Sequence, residues 1–219
     1  MNIDKLKKLV AKEAIKYINP GSIIGIGTGT TISYFIEALG AMKNLISGAV
    51  SSSRVSTLYL KKIGIPVYNL CEINSLMLYI DSADEINSEL QMIKGKGAAL
   101  TQEKIIAATA KTFICIVDES KKVDILGNVP LPVEIIPMAK SYIYKQIIQI
   151  GGIPKFRNNV ITDNGNIIVD IFNLKIKNPV SLENKINSFP GVVSVGIFAN
   201  RKADIVLISK YSGNIQVIS

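Results

Sequence analysis

The chain has 219 residues, 48% of them hydrophobic, with 25 Lys and Arg against 17 Asp and Glu and a formal net charge of +8. This length and apolar content predict a folded protein of one or two domains and exclude long disordered stretches. No apolar run approaches the roughly 18 residues that span a bilayer, and charges occur throughout the N-terminal residues, so we expect neither a membrane span nor an export signal.

The hydrophobic pattern predicts alternating helices and strands along the first half of the chain. A first helix covers residues 3–18 and ends before Pro20 and Gly21. Further helices are predicted at 31–39, 53–63 and 100–110, and strands at 23–26, 49–50, 65–68, 76–80 and 113–117. Because such alternation is typical of parallel sheets, we predict an α/β fold with a mainly parallel, Rossmann-like sheet.

The pattern changes from Gly127 onward, where three prolines fall within a short span. Beyond them the sequence predicts a helix at 139–150, a hairpin-like turn at 162–166, a strand at 167–171 and a helix at 181–188. An apolar strand at 203–208 can return to the first sheet. We therefore predict a main α/β domain of residues 1–126 plus 200–219, with a smaller α+β domain inserted at 127–199.

The positive net charge is compatible with nucleic acid, an acidic membrane surface or an anionic metabolite. The lysines are spread along the chain, tryptophan is absent, and no basic block lies beside an aromatic RNA-binding motif. We therefore expect a small anionic substrate, and neither a nucleic acid nor a membrane as a partner.

Histidine is absent from the chain, and cysteine occurs only at 71 and 115. Because histidine is the usual proton shuttle near neutral pH, acid–base chemistry has to use Asp, Glu, Lys or Tyr. Two distant cysteines offer no familiar spacing of metal ligands, so we expect no transition metal and no cofactor. Both cysteines lie in apolar stretches, which predicts buried thiols and a reducing, cytoplasmic location.

A glycine-rich loop joins the first predicted strand to the second predicted helix. Its residues are Gly25, Gly27, Thr28, Gly29, Thr30 and Thr31, with Ile26 among them. Backbone N–H groups, threonine hydroxyls and the helix dipole can converge on a phosphate at such a joint. Thr30 replaces the third glycine of the dinucleotide fingerprint, and the loop is not a Walker loop, so it predicts a small anion; a tight turn without a ligand is the alternative.

Acidic and basic residues follow the next strands. Asp81 and Asp84 come just after the strand 76–80, at the end where open α/β sheets bind ligands. They are suited to proton transfer or to recognition of sugar hydroxyls, and the alternative is a helix cap. Lys121 follows the strand 113–117 and can close over a phosphate or lie in a solvated loop.

Lysines and glycines alternate just before the predicted helix 100–110, at Lys94, Gly95, Lys96 and Gly97. Glycines let the backbone approach a ligand closely, and a fixed ammonium group can stabilise an oxyanion. Glu103, on the helix, is suited to be the base. An exposed helix glutamate is the alternative.

Together these runs resemble the type A family of ribose-5-phosphate isomerases. The resemblance rests on GIGTGTT, DSADEI, KGKGAALTQEKI and IVDESK in the family's order and spacing, with LPVEIIPMA, TDNGN and FPGVVSVGIFANRKAD in addition. It covers nearly the whole chain. It implies an enzyme that interconverts ribose 5-phosphate and ribulose 5-phosphate in the non-oxidative pentose phosphate pathway, without a cofactor and as a homodimer.

The resemblance also implies roles for individual residues. Glu103 resembles the base that transfers a proton between C2 and C1 through a cis-enediol, and Lys94 resembles the cation that stabilises the developing negative oxygen. Asp81 and Asp84 resemble the aspartates that meet the sugar and assist ring opening. The expected substrate-binding residues are Thr28, Gly29, Thr30, Thr31, Ser82, Ala83, Gly95, Lys96, Gly97 and Lys121.

Two positions depart from the family's pattern, which usually has glycine where this chain has Ser82 and Lys96. A positive φ at Ser82 would cost roughly 1–3 kcal/mol of strain. Lys96 would add a cation near Lys94 and affect anion binding or the ammonium pKa. Neither change removes a proposed catalytic group, so we expect activity. The rival hypotheses are a non-catalytic sugar-phosphate sensor and a basic nucleic-acid binder.

Overall fold

The computed structural model of the chain describes the backbone of residues 1–219 and the side chains of all of them except residue 43. The chain divides into two compact units. Unit 1 comprises Met1–Ala83, Gln102–Lys121 and Ala203–Ser219, and unit 2 comprises Asp84–Thr101 and Lys122–Lys202. The chain therefore passes from one unit to the other after residues 83, 101, 121 and 202.

Helices and strands alternate through the described residues. The helices are α1 Ile3–Ala14, α2 Thr30–Gly40, α3 Arg54–Lys62, α4 Leu100–Thr109, α5 Lys140–Gln149 and α6 Pro179–Asn187. The strands are β1 Ile23–Ile26, β2 Gly48–Ser51, β3 Leu76–Asp81, β4 Glu85–Ile86, β5 Met92–Ile93, β6 Ala110–Asp118, β7 Leu131–Ile135, β8 Ile153–Phe156, β9 Ile167–Phe172, β10 Val192–Val195, β11 Ile197–Phe198, β12 Ile205–Ser209 and β13 Ile215–Ile218. Among the described residues, none of the helices combines the length and the apolar character needed to cross a membrane.

Unit 1 is built on a sheet with the strand order β13-β12-β6-β3-β1-β2. Every neighbouring pair is parallel except β12 and β13, which are antiparallel. The predicted α/β class with a mainly parallel sheet is thus confirmed. Since parallel strands end at the same edge, the chain leaves β1, β3 and β6 on one side of this sheet, where ligands of open α/β sheets bind.

The core of unit 1 forms where α1 and α2 cover the central strands. Ile24 and Ile80 on the sheet, and Phe35 and Leu39 on α2, are fully buried in one apolar cluster. Burial of each such side chain contributes roughly 1.5–3 kcal/mol. This packing makes the sheet a rigid base for the loops that follow its strands.

Unit 2 contains an antiparallel sheet with the order β10-β7-β9-β8 and a small sheet with the order β11-β5-β4. Val133, Ile135 and Val169 form its core together with Ile143 and Ile147 of α5. The unit takes in residues 84–101 because β5 pairs with β4 and β11, and residues 122–126 because Lys122 and Leu126 form bridges to Ile86 and Ile176. Its limits therefore differ from the domain limits expected from the sequence, which stay a prediction.

Proline is involved at two of the places where the structure departs from the sequence prediction. The expected strand 65–68 is reduced to a single bridge between Val67 and Ala49, because Pro66 has no N–H to extend the ladder. Conversely, β7 forms in spite of Pro132. The carbonyl of Pro132 accepts from the Gly196 N–H, so Pro132 directs its backbone polar groups towards the β10 side of the sheet. The missing N–H therefore lies beyond Val195, the last paired residue of β10. The pairing of β7 with β9 loses no hydrogen bond.

The prediction that both cysteines are buried holds for Cys115 and is wrong for Cys71, which is exposed. Cys71 lies in a short 3-10 helix, Leu70–Glu72, that is capped by Asn69. The capping box satisfies the backbone locally, so the turn can lie at the surface although its sequence is apolar.

Candidate active site

The glycine-rich loop lies between β1 and α2 in unit 1. Gly29 has a φ of 110° and precedes Thr30, the first residue of the helix. Glycine has no side chain to cap the first N–H groups of α2, and these groups together with the helix dipole favour an anion. Lys7 of α1 donates to the Thr30 hydroxyl at 2.9 Å and brings a positive charge to the same place.

A serine-rich segment after β2 holds the other side of this loop. The Ser56 hydroxyl donates to the Gly27 carbonyl at 2.7 Å, and the Ser53 hydroxyl donates to the Thr28 hydroxyl at 3.0 Å. Ser53 also caps α3 by accepting from the Ser56 N–H. The sequence prediction missed both serines, although a serine before a helix is a recognisable N-cap signal.

Asp81 ends β3 and is fully buried. One carboxylate oxygen accepts from the Thr28 N–H at 3.2 Å and the Ser82 N–H at 2.7 Å. The other accepts from the Tyr79 hydroxyl. A Cβ on residue 27 would overlap this carboxylate, so Gly27 is required for the close approach. Asp81 thereby joins the glycine-rich loop to the end of β3.

Glu103 lies in the first turn of α4 and is 3% exposed. The negative charges of Glu103 and Asp81 both act on the Tyr79 phenol. Burial raises the pKa of the Tyr79 phenol well above its usual value, and the negative charges of Asp81 and Glu103 raise it further. Unit 1 therefore places two carboxylates around one neutral phenol. No local pattern predicts a role for Tyr79, because it is an ordinary residue of an apolar strand.

Lys121 ends a 3-10 helix, Glu119–Lys121, that directly follows β6. The preceding Asp118 is fully buried and accepts from the Ser120 N–H at 3.1 Å. Glu119 forms an ion pair with Lys210 at 3.0 Å. These contacts fix the turn at the same edge of the sheet as the glycine-rich loop and Asp81.

Asp84 and the loop 94–97 belong to unit 2. Asp84 accepts from the Lys96 N–H at 3.0 Å through its carboxylate, and its own N–H donates to the Ile93 carbonyl at 2.8 Å. Gly95 has a φ of 114°, a conformation that side chains rarely adopt. Asp84 thus supports the predicted substrate-binding loop through its backbone.

Lys94 is a buried cation, with 2% of the residue exposed. Its ammonium nitrogen lies 5.4 Å from the centroid of the Phe198 ring, within cation–π range. Its N–H donates to the Gly196 carbonyl at 2.9 Å, and a Cβ on Gly196 would overlap the Lys94 carbonyl. Gly196 therefore holds the backbone of Lys94, and Phe198 of β11 lies against its ammonium group.

Arg157 clamps the loop 94–97, and the sequence prediction missed it. One guanidinium nitrogen donates to the carbonyls of Gly95 and Lys96, each at 3.0 Å. The other side of the guanidinium pairs with both carboxylate oxygens of Asp170. Sixty residues separate Arg157 from the loop in the sequence, so no local pattern could indicate the contact.

Ser82 and Lys96, which depart from the family's pattern, do not have a positive φ. Among the described residues, the non-glycine residues with positive φ are Leu90, Ala98, Asn159 and Asn173. The strain considered for Ser82 therefore does not arise, and its hydroxyl donates to the Thr28 carbonyl at 3.4 Å. Lys96 is exposed.

Each unit offers distinct chemistry. Unit 1 has a helix N-terminus suited to an anion and a buried carboxylate, Glu103, suited to moving a proton. Unit 2 has a buried ammonium, Lys94, suited to a developing negative charge. Within the part of the chain whose side chains are described, no three Asp, Glu or Cys residues are grouped so that they could hold a metal ion.

The chain is similar in sequence to known isomerases. A family model described as ribose 5-phosphate isomerase A (phosphoriboisomerase A) matches residues 48–213. A curated protein named ribose-5-phosphate isomerase A, from Buchnera aphidicola subsp. Baizongia pistaciae (strain Bp), is 72% identical over 218 residues, which cover 100% of each chain. One from Blochmanniella pennsylvanica (strain BPEN) is 60% identical over 210 residues, or 96% of each chain.

The fold of the chain is also similar to the folds of solved isomerase structures. Ribose 5 phosphate isomerase A from Neisseria gonorrhoeae superposes with a TM-score of 0.96 at 44% identity, covering 99% of this chain and 97% of that one. A D-ribose-5-phosphate isomerase in complex with phospho-erythronic acid superposes with a TM-score of 0.94 at 40% identity, covering 100% of each chain.

Proposed function

Because the chain belongs to the ribose 5-phosphate isomerase A family and is an aldose–ketose isomerase, we propose that it interconverts D-ribose 5-phosphate and D-ribulose 5-phosphate through a cis-enediol intermediate. We place this reaction in the non-oxidative pentose phosphate pathway. The observation that carries the proposal is the buried Glu103 in the first turn of α4, in a chain that has no histidine to act as the base.

Glu103 is the general base. It removes the proton from C2 of the open-chain aldose, the electron pair forms the C1–C2 double bond, and the C1 carbonyl oxygen becomes negative. A proton from solvent neutralises that oxygen and gives the enediol. Glu103 then returns its proton to C1, the C2 hydroxyl releases its proton to solvent, and the C2 oxygen becomes the carbonyl of the ketose. No electron acceptor is needed, because the oxidation of C2 balances the reduction of C1.

Lys94 stabilises the oxygen that becomes negative in this reaction. Its environment within unit 2 supports the role, because a buried ammonium beside an aromatic ring is shielded from water and keeps its position. An oxyanion donor of this kind typically contributes about 2.7–4 kcal/mol to the stability of the transition state.

Asp81 and Asp84 meet the sugar and assist ring opening. Asp81 fixes the N–H groups of Thr28 and Ser82, and Asp84 fixes the N–H group of Lys96. Each aspartate therefore also orients a loop proposed to bind substrate. These loops comprise Thr28, Gly29, Thr30 and Thr31, Ser82 and Ala83, and Gly95, Lys96 and Gly97.

The phosphate of the substrate binds at the charged and polar ends of these loops. The open N-terminus of α2 and the neighbouring Lys7 support an anion site, and Lys121 adds a second cation. The relative solved with phospho-erythronic acid supports a ligand of this class, because that acid carries a phosphate and a carboxylate whose charge is like that of an enediolate.

The enzyme is proposed to work without a metal or cofactor, in the cytoplasm and as a homodimer. The chemistry supports the first point, because proton transfer between adjacent carbons needs only a base and an oxyanion donor.

The homodimer rests on the resemblance to the family. Light scattering of the purified protein tests it: a mass of one chain, independent of concentration, contradicts the dimer.

The test of the function is conversion of ribose 5-phosphate by purified protein in excess EDTA, with Glu103→Gln and Glu37→Gln compared. Glu37 is an exposed helix glutamate and serves as the matched control. We expect Glu103→Gln to lower kcat about 10²- to 10⁴-fold while calorimetry still detects sugar-phosphate binding. Equal turnover in both variants refutes Glu103 as the base.

A non-catalytic sugar-phosphate sensor is the alternative to an isomerase. It predicts tight binding of ribose 5-phosphate by the wild type with no turnover. The same assay separates the two, because it records binding and conversion on the same protein.

A further inference from the structure

Glu134 is a buried carboxylate that the proposed reaction does not use. It lies in the middle of β7, between Ile168 on β9 and Ser194 on β10, and its residue is 0% exposed. The sheet therefore fixes its backbone on both sides. A buried carboxylate in such a position has to find hydrogen-bond donors for both oxygens.

Neutral donors surround this carboxylate. One oxygen accepts from the Thr162 hydroxyl at 2.8 Å and from the side-chain amides of Asn164 and Asn166 at 3.0 and 2.9 Å. The other oxygen accepts from the Thr101 hydroxyl at 2.5 Å and, over a longer distance of 3.3 Å, from the Asn164 amide. Since a carboxylate has about four acceptor positions, these donors nearly saturate it.

Three of the four donors come from the turn 162–166. That turn is closed on itself, because the Thr162 N–H donates to the Asn166 carbonyl and the Thr162 hydroxyl accepts from the Asn166 N–H. The fourth donor lies outside this turn, since Thr101 is the second residue of α4. Glu134 therefore ties the start of α4 to a rigid part of unit 2, to which Thr101 itself belongs.

Helix α4 buries a charged residue on its apolar face. Leu100, Glu103, Ile106 and Ala107 are buried on one side of the helix, whereas Ile105 is exposed. Apolar packing decides which side of the helix is buried, and a hydrogen bond, which is directional, sets its rotation more exactly. Thr101 and Glu103 are two residues apart, about 200° around a helix, so a bond at Thr101 fixes the direction of Glu103 without touching it.

We propose that Thr101 and Glu134 are positioning residues for the isomerisation, which orient Glu103 by fixing the first turn of α4. The proposal rests on Glu103 as the base. A misplacement of about 1 Å can cost a reaction up to about 10²-fold in rate, so loss of this one hydrogen bond affects kcat more than substrate binding.

The test compares Thr101→Val with Thr101→Ser and with Thr162→Val. The valine at 101 keeps the shape and loses the hydroxyl, the serine keeps the hydroxyl, and the valine at 162 removes a hydroxyl from the same carboxylate without changing α4. We expect Thr101→Val to lower kcat about tenfold or more with KM changed less than twofold, and Thr101→Ser to restore kcat. Thr162→Val lowers the melting temperature and keeps kcat.

Glu103→Gln with and without Thr101→Val completes the test. If Thr101 acts through Glu103, Thr101→Val lowers kcat no further in the Glu103→Gln background. The inference is overturned if Thr101→Val keeps wild-type kcat, if Thr162→Val loses as much kcat as Thr101→Val, or if the double variant is additive. Full activity of Glu103→Gln alone refutes the proposed base instead, so the two failures are distinguishable.

Discussion

Tyr79 links the two carboxylates of unit 1 at the scale of single residues. Its hydroxyl donates to Asp81, and burial, followed by the charges of Asp81 and Glu103, raises its pKa well above 10.0. It therefore keeps its proton at pH values at which an exposed tyrosine begins to lose it. Its ring lies 4.9 Å from that of Phe113, which keeps the hydroxyl directed at the carboxylate.

Tyr79→Phe is expected to change how stability depends on pH. Below the unfolded-state pKa of about 10, the folded and the unfolded wild type both keep the phenolic proton of Tyr79. The contribution of Tyr79 to the free energy of unfolding is therefore fully present there. Above this pKa the unfolded chain loses a proton that the folded chain keeps, and the free energy of unfolding falls by up to about 1.4 kcal/mol per pH unit. Phenylalanine lacks this contribution.

Urea unfolding of both proteins between about pH 8 and pH 11 measures the difference, because lysine titration is common to both. Parallel curves above about pH 10 would show that the Tyr79 pKa is not raised. At neutral pH we expect Tyr79→Phe to be about 1–3 kcal/mol less stable, since one acceptor position of buried Asp81 loses its donor.

Ser82→Gly and Lys96→Gly are expected to give no gain in kcat. Neither position has a positive φ, so glycine relieves no strain and only adds freedom to the unfolded chain. We expect each variant to be about 0.5–1 kcal/mol less stable, and Ser82→Gly also loses the contact to the Thr28 carbonyl. A several-fold rise in kcat for either variant would show that the departures impair this enzyme.

The predicted residues Asp81 and Glu103 lie at a strand end and in a first helical turn, where local pattern is informative. Tyr79, Arg157 and Glu134 were not predicted, although each contacts a predicted site residue or its helix. Their partners are set by tertiary packing, and a buried polar side chain in an apolar strand has the same local sequence whether it holds a loop or only fills space.

The loop 94–97 illustrates the same dependence at the scale of an element. Its own backbone contributes a turn hydrogen bond from the Ala98 N–H to the Gly95 carbonyl. Arg157 also donates to the carbonyls of Gly95 and Lys96, and Asp84 accepts from the Lys96 N–H. Asp170 on β9 in turn fixes Arg157 through a bidentate pair. The antiparallel sheet of unit 2 therefore fixes the position of the loop through Asp170 and Arg157.

Arg157→Lys is expected to lower kcat/KM about tenfold or more. Lysine cannot pair with Asp170 through two parallel bonds and reach two carbonyls at once, and hydrogen bonds of charged groups contribute about 1.5–3 kcal/mol. Arg201→Lys is the matched control, since Arg201 donates to the Lys202 carbonyl. Steady-state kinetics of both variants suffices, and equal kcat/KM would contradict the clamp.

The elements themselves could be predicted where the signal is local. Strand β1 was predicted with its observed limits, and α4 within one residue, because apolar runs and helix formers end there at clear turn residues. Strand β7 was not predicted, because its proline reads as a loop signal. Only its pairing partners make the proline acceptable, and these lie 32 or more residues further along the chain.

The net charge of +8 acts at the scale of the whole molecule. A positive field raises the encounter rate with an anionic substrate and is screened by salt. We expect kcat/KM for ribose 5-phosphate to fall several-fold as ionic strength rises from about 0.01 M to about 1 M, with kcat nearly constant. A gel shift with duplex DNA at moderate salt should show no complex; a stable complex would favour the nucleic-acid hypothesis.

The predicted domain limits stay a prediction, because the division of a chain into domains depends on which distant strands pair. Residues 84–101 follow an apolar strand of the main sheet and lead into α4, so the sequence assigns them to the main domain. In the structure they count with unit 2, through the pairing of β5 with β11. No local pattern indicates a pairing across about a hundred residues.

The interleaving of the two units has a consequence for biosynthesis. Unit 2 ends at Lys202, whereas the sheet of unit 1 still lacks β12 and β13 at that point. Strand β12 pairs with β6 along five residues, so one side of β6 stays open until residues 205–209 have been translated. The unit that begins first on the ribosome is therefore completed last, and its unpaired strand edge is the part of the nascent chain that most needs protection from aggregation.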